Sequence, residues 1–164
     1  MFREMRRKKQ QLTQEETMVI LREGTSGVLS LTGDEGYPYG VPLSYVYDGD
    51  KLYFHCAKEG HKIDAIRKNP KASFCVIAQD EIVPEKYTTC YRSVIAFGSV
   101  RILENEGEKR RAIEELALKY APEDSEENRQ KYIEKDWEPL CMLEMTVEHL
   151  SGKEAIELVR RKQK

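Results

Sequence analysis

No apolar run in this 164-residue chain approaches the roughly 20 residues that a membrane-spanning helix requires. The amino-terminal Met-Phe-Arg-Glu-Met-Arg-Arg-Lys-Lys also lacks the apolar stretch that follows the basic start of a secretion signal. The expectation from both absences is a cytoplasmic protein with no membrane partner. Cys56, Cys75, Cys90 and Cys141 include no C-x-x-C pair, so their spacing indicates neither zinc nor a dithiol redox motif. His55, His61 and His149 make no ligand pair, and no metal is expected. A formal net charge of -2 and a pI of about 6.0 leave no basic excess for nucleic acid. Also missing are the glycine-rich dinucleotide loop, the phosphate-loop lysine motif, paired carboxylates in an acid–base setting and a defensible Ser-His-Asp set.

What is present reads as one domain over residues 1–164, with 34% charged and 40% hydrophobic residues. Residues 1–12 form a basic arm, a solvated extension or a strap for a partner. Thr13-Gln-Glu-Glu16 is a capping box that opens a helix running to Glu23, with Gly24 as a left-handed terminator and Met18 and Leu21 facing inward. Strands follow at Gly27–Thr32, Tyr37–Tyr47 and Lys51–Ala57. Pro38 and Pro42 give the second of these edge character. His61–Lys68 is a short helix with Ile63 and Ile66 inward. Further strands are expected at Ala72–Ala78, Tyr87–Leu103 and Leu140–Val147, with Gly98 marking a bulge. Glu106–Ala121 is an amphipathic helix whose buried stripe is Ile113, Leu116, Ala117 and Tyr120. Lys109, Arg110 and Arg111 belong to its charged face. Residues 122–137 are a charged helical excursion, and 152–164 a charged tail. Six or so strands in hairpin order, with few helices between them, make an antiparallel barrel with peripheral helices.

The richest segment is Gly40–Lys62. Two strand patterns joined at Asp48-Gly49-Asp50 lead into Gly60-His61-Lys62 at a helix entrance. Unpaired amides and the positive end of the helix dipole suit a phosphate there, and Lys62 adds a charged donor. His61 contributes charge only when protonated. His55 reads as a buried histidine or as a contact to a bound cofactor. Cys56 reads as a small contact residue and not a nucleophile, and Cys75 and Cys141 as core. The tyrosines of these strands pack across the sheet, with Tyr45 the best placed to line a planar cofactor. Arg92 reads as a solvated strand position.

Taken in order, Met5-Arg-Arg-Lys, Gly27-Val-Leu-Ser-Leu, Pro42-Leu-Ser-Tyr-Val-Tyr-Asp-Gly-Asp-Lys-Leu-Tyr-Phe-His, Ala57-x-x-Gly-His-Lys, Asn69-Pro-Lys-Ala-Ser-Phe, Tyr91-Arg-Ser-Val-Ile-Ala-Phe-Gly-Ser-Val and His149-Leu-Ser-Gly-Lys resemble the FMN-binding split-barrel group. That group contains the pyridoxamine 5'-phosphate oxidases, and the likeness is closest to its nitroimidazole-resistance-like branch. The resemblance implies a homodimeric split barrel with FMN at the subunit interface. It places Gly40, Val41, Pro42, Leu43, Ser44 and Tyr45 beside the flavin, with His55, Cys56 and Ala57 on the next strand. It makes His61 and Lys62 phosphate ligands, puts Ser93 near the ring, and makes Trp137 a candidate contribution from the second subunit. Gly40, Tyr45 and His61 stand where pyridoxamine phosphate oxidases carry stronger bases, which argues against vitamin B6 oxidation. The implied activity is reduction of a small electrophilic acceptor such as a nitroaromatic, with NADH or NADPH as donor. A non-enzymatic flavin or haem binder and a cofactor-free interaction barrel are the competing expectations.

Overall fold

The computed structural model describes residues 1–163, so the last residue of the expected tail lies outside the described residues. Among them the elements run α1 (Gln14–Glu23), β1 (Ser26–Thr32), β2 (Pro38–Ser44), β3 (Val46–Asp48), β4 (Lys51–Ala57), α2 (His61–Lys68), β5 (Lys71–Val83), β6 (Thr88–Ile102), α3 (Glu106–Tyr120), α4 (Glu126–Asp136), β7 (Leu140–Glu154) and α5 (Ile156–Lys162). The seven strands form one antiparallel sheet in the order β2-β1-β5-β6-β7-β4-β3.

β2 and β3 follow each other in the chain yet occupy opposite ends of that order. The strand expected over 37–47 is therefore two, and Tyr45 is the corner where the ladder changes partner. Ser44 still pairs with Ser26 of β1, whereas Val46 already pairs with Tyr53 of β4. This turn curls the sheet into a barrel. β2 and β4 touch, but no ladder joins them among the described residues, which leaves the barrel split along that seam. As an edge strand, β2 tolerates Pro38 and Pro42.

Inward residues of every long strand fill the barrel, among them Leu29, Leu52, Phe54, Phe74, Val94, Leu143 and Met145. Each such side chain contributes about 1.5–3 kcal/mol on burial. α1 packs against β7, β3, β6 and β5 with Leu21 in the core, and α2 packs against β1 through Ile63, Ala65 and Ile66. α3 covers the outside of β4 and β7, where Ala112 and Leu116 meet Tyr53 and Met142.

Several sequence expectations change on folding. The arm at 1–12 is exposed over most of residues 1–9 but anchored by Gln10 and Leu12. Gln10 is buried and its Nε2 donates to the Glu154 carbonyl at 3.0 Å, Leu12 N donates to Gly152 O at 2.9 Å, and Phe2 stacks on His149. The tail likewise begins as sheet: Gly152, Lys153 and Glu154 pair with Val94, Ser93 and Arg92 before α5 starts. Gly24 caps α1 in an extended conformation, with φ -63° and ψ 147°, and not in the left-handed one. The bulge expected at Gly98 occurs there, with the extra residue, Glu148, on β7. The α3 stripe is rotated, because Lys109, Ala112 and Leu116 are buried while Tyr120 is about half exposed. Periodicity fixes the spacing of a stripe, but the docking surface fixes its centre.

Candidate functional site

The expected site residues of β2, β4 and α2 lie on the two strands that flank the open seam of the barrel and on the helix that follows them. On β2, Val41 and Leu43 point into the core, so Gly40, Pro42 and Ser44 present the outer face. Cross-strand register extends Gly40 into a row of small residues, Ser30 on β1 and Ser73 on β5, ending at Phe97 on β6. The neighbouring row is apolar: Pro42, Val28, Cys75 and Ile95. Together they make a shallow trough beside a hydrophobic ridge on the outside of the barrel.

At the α2 entrance Gly60 adopts φ +124°, a conformation other residues resist, and nothing lies within 4 Å of where its Cβ would be. The first helical bond there runs from Asp64 N to Gly60 O, which leaves the amides of His61, Lys62 and Ile63 without intrahelical acceptors. Lys62, Arg67 and Lys109 all lie near enough to Cys141 to lower its pKa, and Lys58 is near Lys109. Among the described residues, Lys58, Lys62 and Arg67 join no ion pair. A Gly-opened helix start with Lys58 before it and Lys62 in its first turn, beside the acid Asp64, is chemically suited to a phosphate, and Arg67 follows in the last turn of α2.

His61 is turned elsewhere. Its ring stacks on Tyr39 at 4.0 Å, and its Nε2 accepts from Asp34 N at 3.4 Å, with the Asp34 carboxylate 3.8 Å away. These contacts tie the imidazole to the β1–β2 turn and brace that turn against α2.

Tyr45 corrects the expectation of a cofactor wall. Its side chain is fully buried, its hydroxyl donates to the Leu21 carbonyl at 2.7 Å, and its ring meets Phe74 edge-on. Burial pushes the phenol well above its usual pKa. His55 is exposed on the outer side of β4, opposite Met142, and is not the buried histidine the sequence suggested. Ala57 is exposed at the end of the strand. Ser93 stands apart on β6, across about three strand spacings, or roughly 14 Å, from β2. Arg92 is not merely solvated, since its Nε donates to the nearly buried Glu154 carboxylate at 3.0 Å.

Sequence reasoning missed Lys109. It is only 9% exposed, its Nζ donates to the Trp137 carbonyl at 2.9 Å, and it sits 4.1 Å from the centre of the Trp137 ring. Arg110 approaches the same ring at 4.8 Å. Burial, with help from Lys58, lowers the Lys109 pKa. Trp137 thus ends α4 as the anchor of two cations from α3. Equally unforeseen, Cys56 and Cys141 are direct cross-strand partners. Neither relationship has a local signal, because each joins residues far apart in the chain.

Among the described residues, no helix is long and apolar enough to cross a membrane. No curated protein matches the sequence significantly. Solved structures do match the fold. A candidate 5-nitroimidazole antibiotic resistance protein from Bacteroides thetaiotaomicron superposes with a TM-score of 0.72 at 22% identity, covering 87% of this chain and 85% of its own. A FAD-binding protein from Mesorhizobium loti matches with a TM-score of 0.64 at 25% identity, covering 88% and 96%. A FAD and heme binding protein from Mycobacterium smegmatis gives 0.73 at 20% identity, covering 90% and 73%. The sequence profile described as pyridoxamine 5'-phosphate oxidase spans residues 13–154, and the chain therefore belongs to the pyridoxamine 5'-phosphate oxidase family.

Proposed function

We propose that this protein is a homodimeric FMN-dependent oxidoreductase that passes reducing equivalents from NADH or NADPH to a small electrophilic acceptor such as a nitroaromatic. The observation that carries the reading is the open, Gly60-started entrance of α2 with Lys58 and Lys62 on either side of the glycine, directly after β4. In this reading Lys62 and the first α2 amides hold the phosphate, and the Gly40–Ser30–Ser73 trough gives a planar ring close approach to the sheet. The flavin supplies the hydride chemistry, so the protein needs no nucleophile of its own. Membership of the family and the flavin-binding relatives support the cofactor class. The exposed Val28, Ile77, Ile95 and Phe97 form an apolar outer face that a second copy would cover, excluding water from the trough.

The test is titration of the purified protein with FMN and FAD, followed by absorbance, with molar mass measured by light scattering. The expected result is a yellow dimer that prefers FMN, that NADPH or NADH bleaches, and whose FMN affinity falls about tenfold or more in Lys62→Ala. Unchanged affinity in that variant would remove the phosphate site. The exposed imidazole of His55 favours haem as the second reading. A Soret band in place of flavin absorbance, lost in His55→Ala, would establish it.

A further inference from the structure

Cys56 on β4 and Cys141 on β7 are directly opposed in antiparallel register, and both side chains face the same interior cluster. Opposed residues of such a pair have Cα atoms about 4.5–5.5 Å apart, within the window of roughly 4.4–6.8 Å that a disulfide bridges. Both thiols are free in this structure. We propose that Cys56 and Cys141 form a redox-active dithiol, oxidised reversibly to a cross-strand disulfide beneath the α2 entrance by a small hydroperoxide.

The surroundings favour that chemistry in three ways. The paired thiols are split in acidity: the neighbouring Cys56 thiol and the charges of Lys109, Lys62 and Arg67 push the Cys141 thiol below its ordinary value, while Cys56 is pushed up by Cys141 and by burial. Cys141 is thus the member of the pair that ionises more readily to thiolate, the reactive form. Cys56 is only half buried and Cys141 nearly fully so. The geometry therefore admits hydrogen peroxide more readily than a bulky disulfide reagent. The other two cysteines lie elsewhere, Cys75 on the outer sheet face opposite Val28 and Cys90 buried against α5.

The step balances. The Cys141 thiolate attacks one peroxide oxygen, the O–O bond breaks, and hydroxide leaves and takes up a proton. The sulfur of Cys56 then attacks the Cys141 sulfenic acid, the S–O bond breaks, and the departing hydroxide leaves as water with the Cys56 proton. Two thiols lose two electrons and two protons, and one hydrogen peroxide becomes two waters. The proposal does not depend on a bound flavin.

All four cysteines fall on different tryptic peptides, with Cys56 in residues 52–58 and Cys141 in residues 136–153. The full-length protein is reduced, freed of reductant, treated with hydrogen peroxide, alkylated under denaturing conditions, digested and analysed by mass spectrometry. The expected product is the 52–58 and 136–153 peptides joined, two hydrogen masses lighter than their sum, with Cys90 still alkylated and the link reversed by dithiothreitol. In Cys56→Ser the link is lost and Cys141 proceeds to the sulfinic acid, because nothing resolves its sulfenic acid. The proposal is overturned if Cys56 and Cys141 remain alkylated at a peroxide dose that oxidises Cys75. It is equally overturned if either bridges to Cys75 or Cys90 instead. The wild-type experiment alone decides the matter should the variant fail to fold.

Discussion

The Tyr45 hydroxyl occupies the space that a side chain at position 24 would need: a Cβ on Gly24 would lie 2.5 Å from Tyr45 Oη and 3.1 Å from Ile20 O. Lys119 completes the corner, with its Nζ donating to the Gly24 carbonyl while lying 4.3 Å from the centre of the Tyr45 ring. Burial lowers the pKa of this lysine. Gly24 is therefore required by a close approach at the point where the barrel turns, and its backbone angles are ones any residue can adopt.

Gly24→Ala should cost about 1–3 kcal/mol through overpacking. Tyr45→Phe should cost a similar amount by leaving Leu21 O without its buried donor. Because the hydroxyl is the closest obstacle to the new methyl, the double variant should be less destabilised than the sum, by at least about 0.5 kcal/mol. Urea midpoints of the four proteins measure this, and strict additivity would refute the contact.

Gly98→Ala should be the more damaging glycine change. A Cβ there would overlap the Thr146 carbonyl oxygen and lie 2.9 Å from its carbon, where only backbone movement gives relief. We expect a loss of about 3 kcal/mol or more, or failure to fold. A melting temperature within a degree or two of wild type would contradict it.

Lys162 ties α5 to both chain ends, at 2.6 Å from Glu16 and 2.8 Å from the buried Glu154. Its pKa is raised, chiefly by the Glu154 hydrogen bond, so its contribution is complete below the ordinary value of 10.5 and is lost as pH rises through the higher folded value. The Glu16 pKa is lowered, chiefly by Lys162, so that contribution is present above the ordinary 4.5 and is lost as pH falls through the lower folded value. Lys162 and Glu16 are each about two-fifths exposed, and screening limits the effect to about 1 kcal/mol or less. Lys162→Met should flatten both limbs of the stability–pH curve. Limbs of unchanged steepness would rule out this linkage.

Trp137 is the only tryptophan, which makes its two cations directly visible in emission. Lys109→Ala removes a buried donor from the Trp137 carbonyl and a cation from its ring, at a cost of about 1–3 kcal/mol. The emission spectrum should shift along with the loss of stability. An unaltered spectrum at an unaltered melting temperature would show that the packing of α3 on Trp137 is not as described.

Where side chains act on their own neighbourhood, the sequence was readable. Thr13 caps α1 as expected, with Glu16 N donating to Thr13 Oγ1 at 3.1 Å and Thr13 N donating to the Glu16 carboxylate at 2.9 Å. The edge position of β2 was legible from Pro38 and Pro42, and the inward face of α2 from Ile63 and Ile66. Of the expected site residues, Gly40, Pro42 and Ser44 share the outer face of β2, His55 and Ala57 are exposed on β4, and Lys62 stands at the start of α2. Tyr45 is buried instead, and strand alternation alone cannot show that the ladder changes partner there.

The Asp48-Gly49 hairpin, the limits of α1, α2 and α3 and the glycine opening of α2 are legible in the chain, since each rests on contacts within a few residues. Only the folded barrel shows that Tyr45 faces the core, that Lys109 is buried on Trp137, that the tail prolongs β7, and that Cys56 meets Cys141. Those outcomes depend on the register between distant strands and on the curling that brings β2 to β4. Register is set by the packing of the whole barrel, so no single segment carries it.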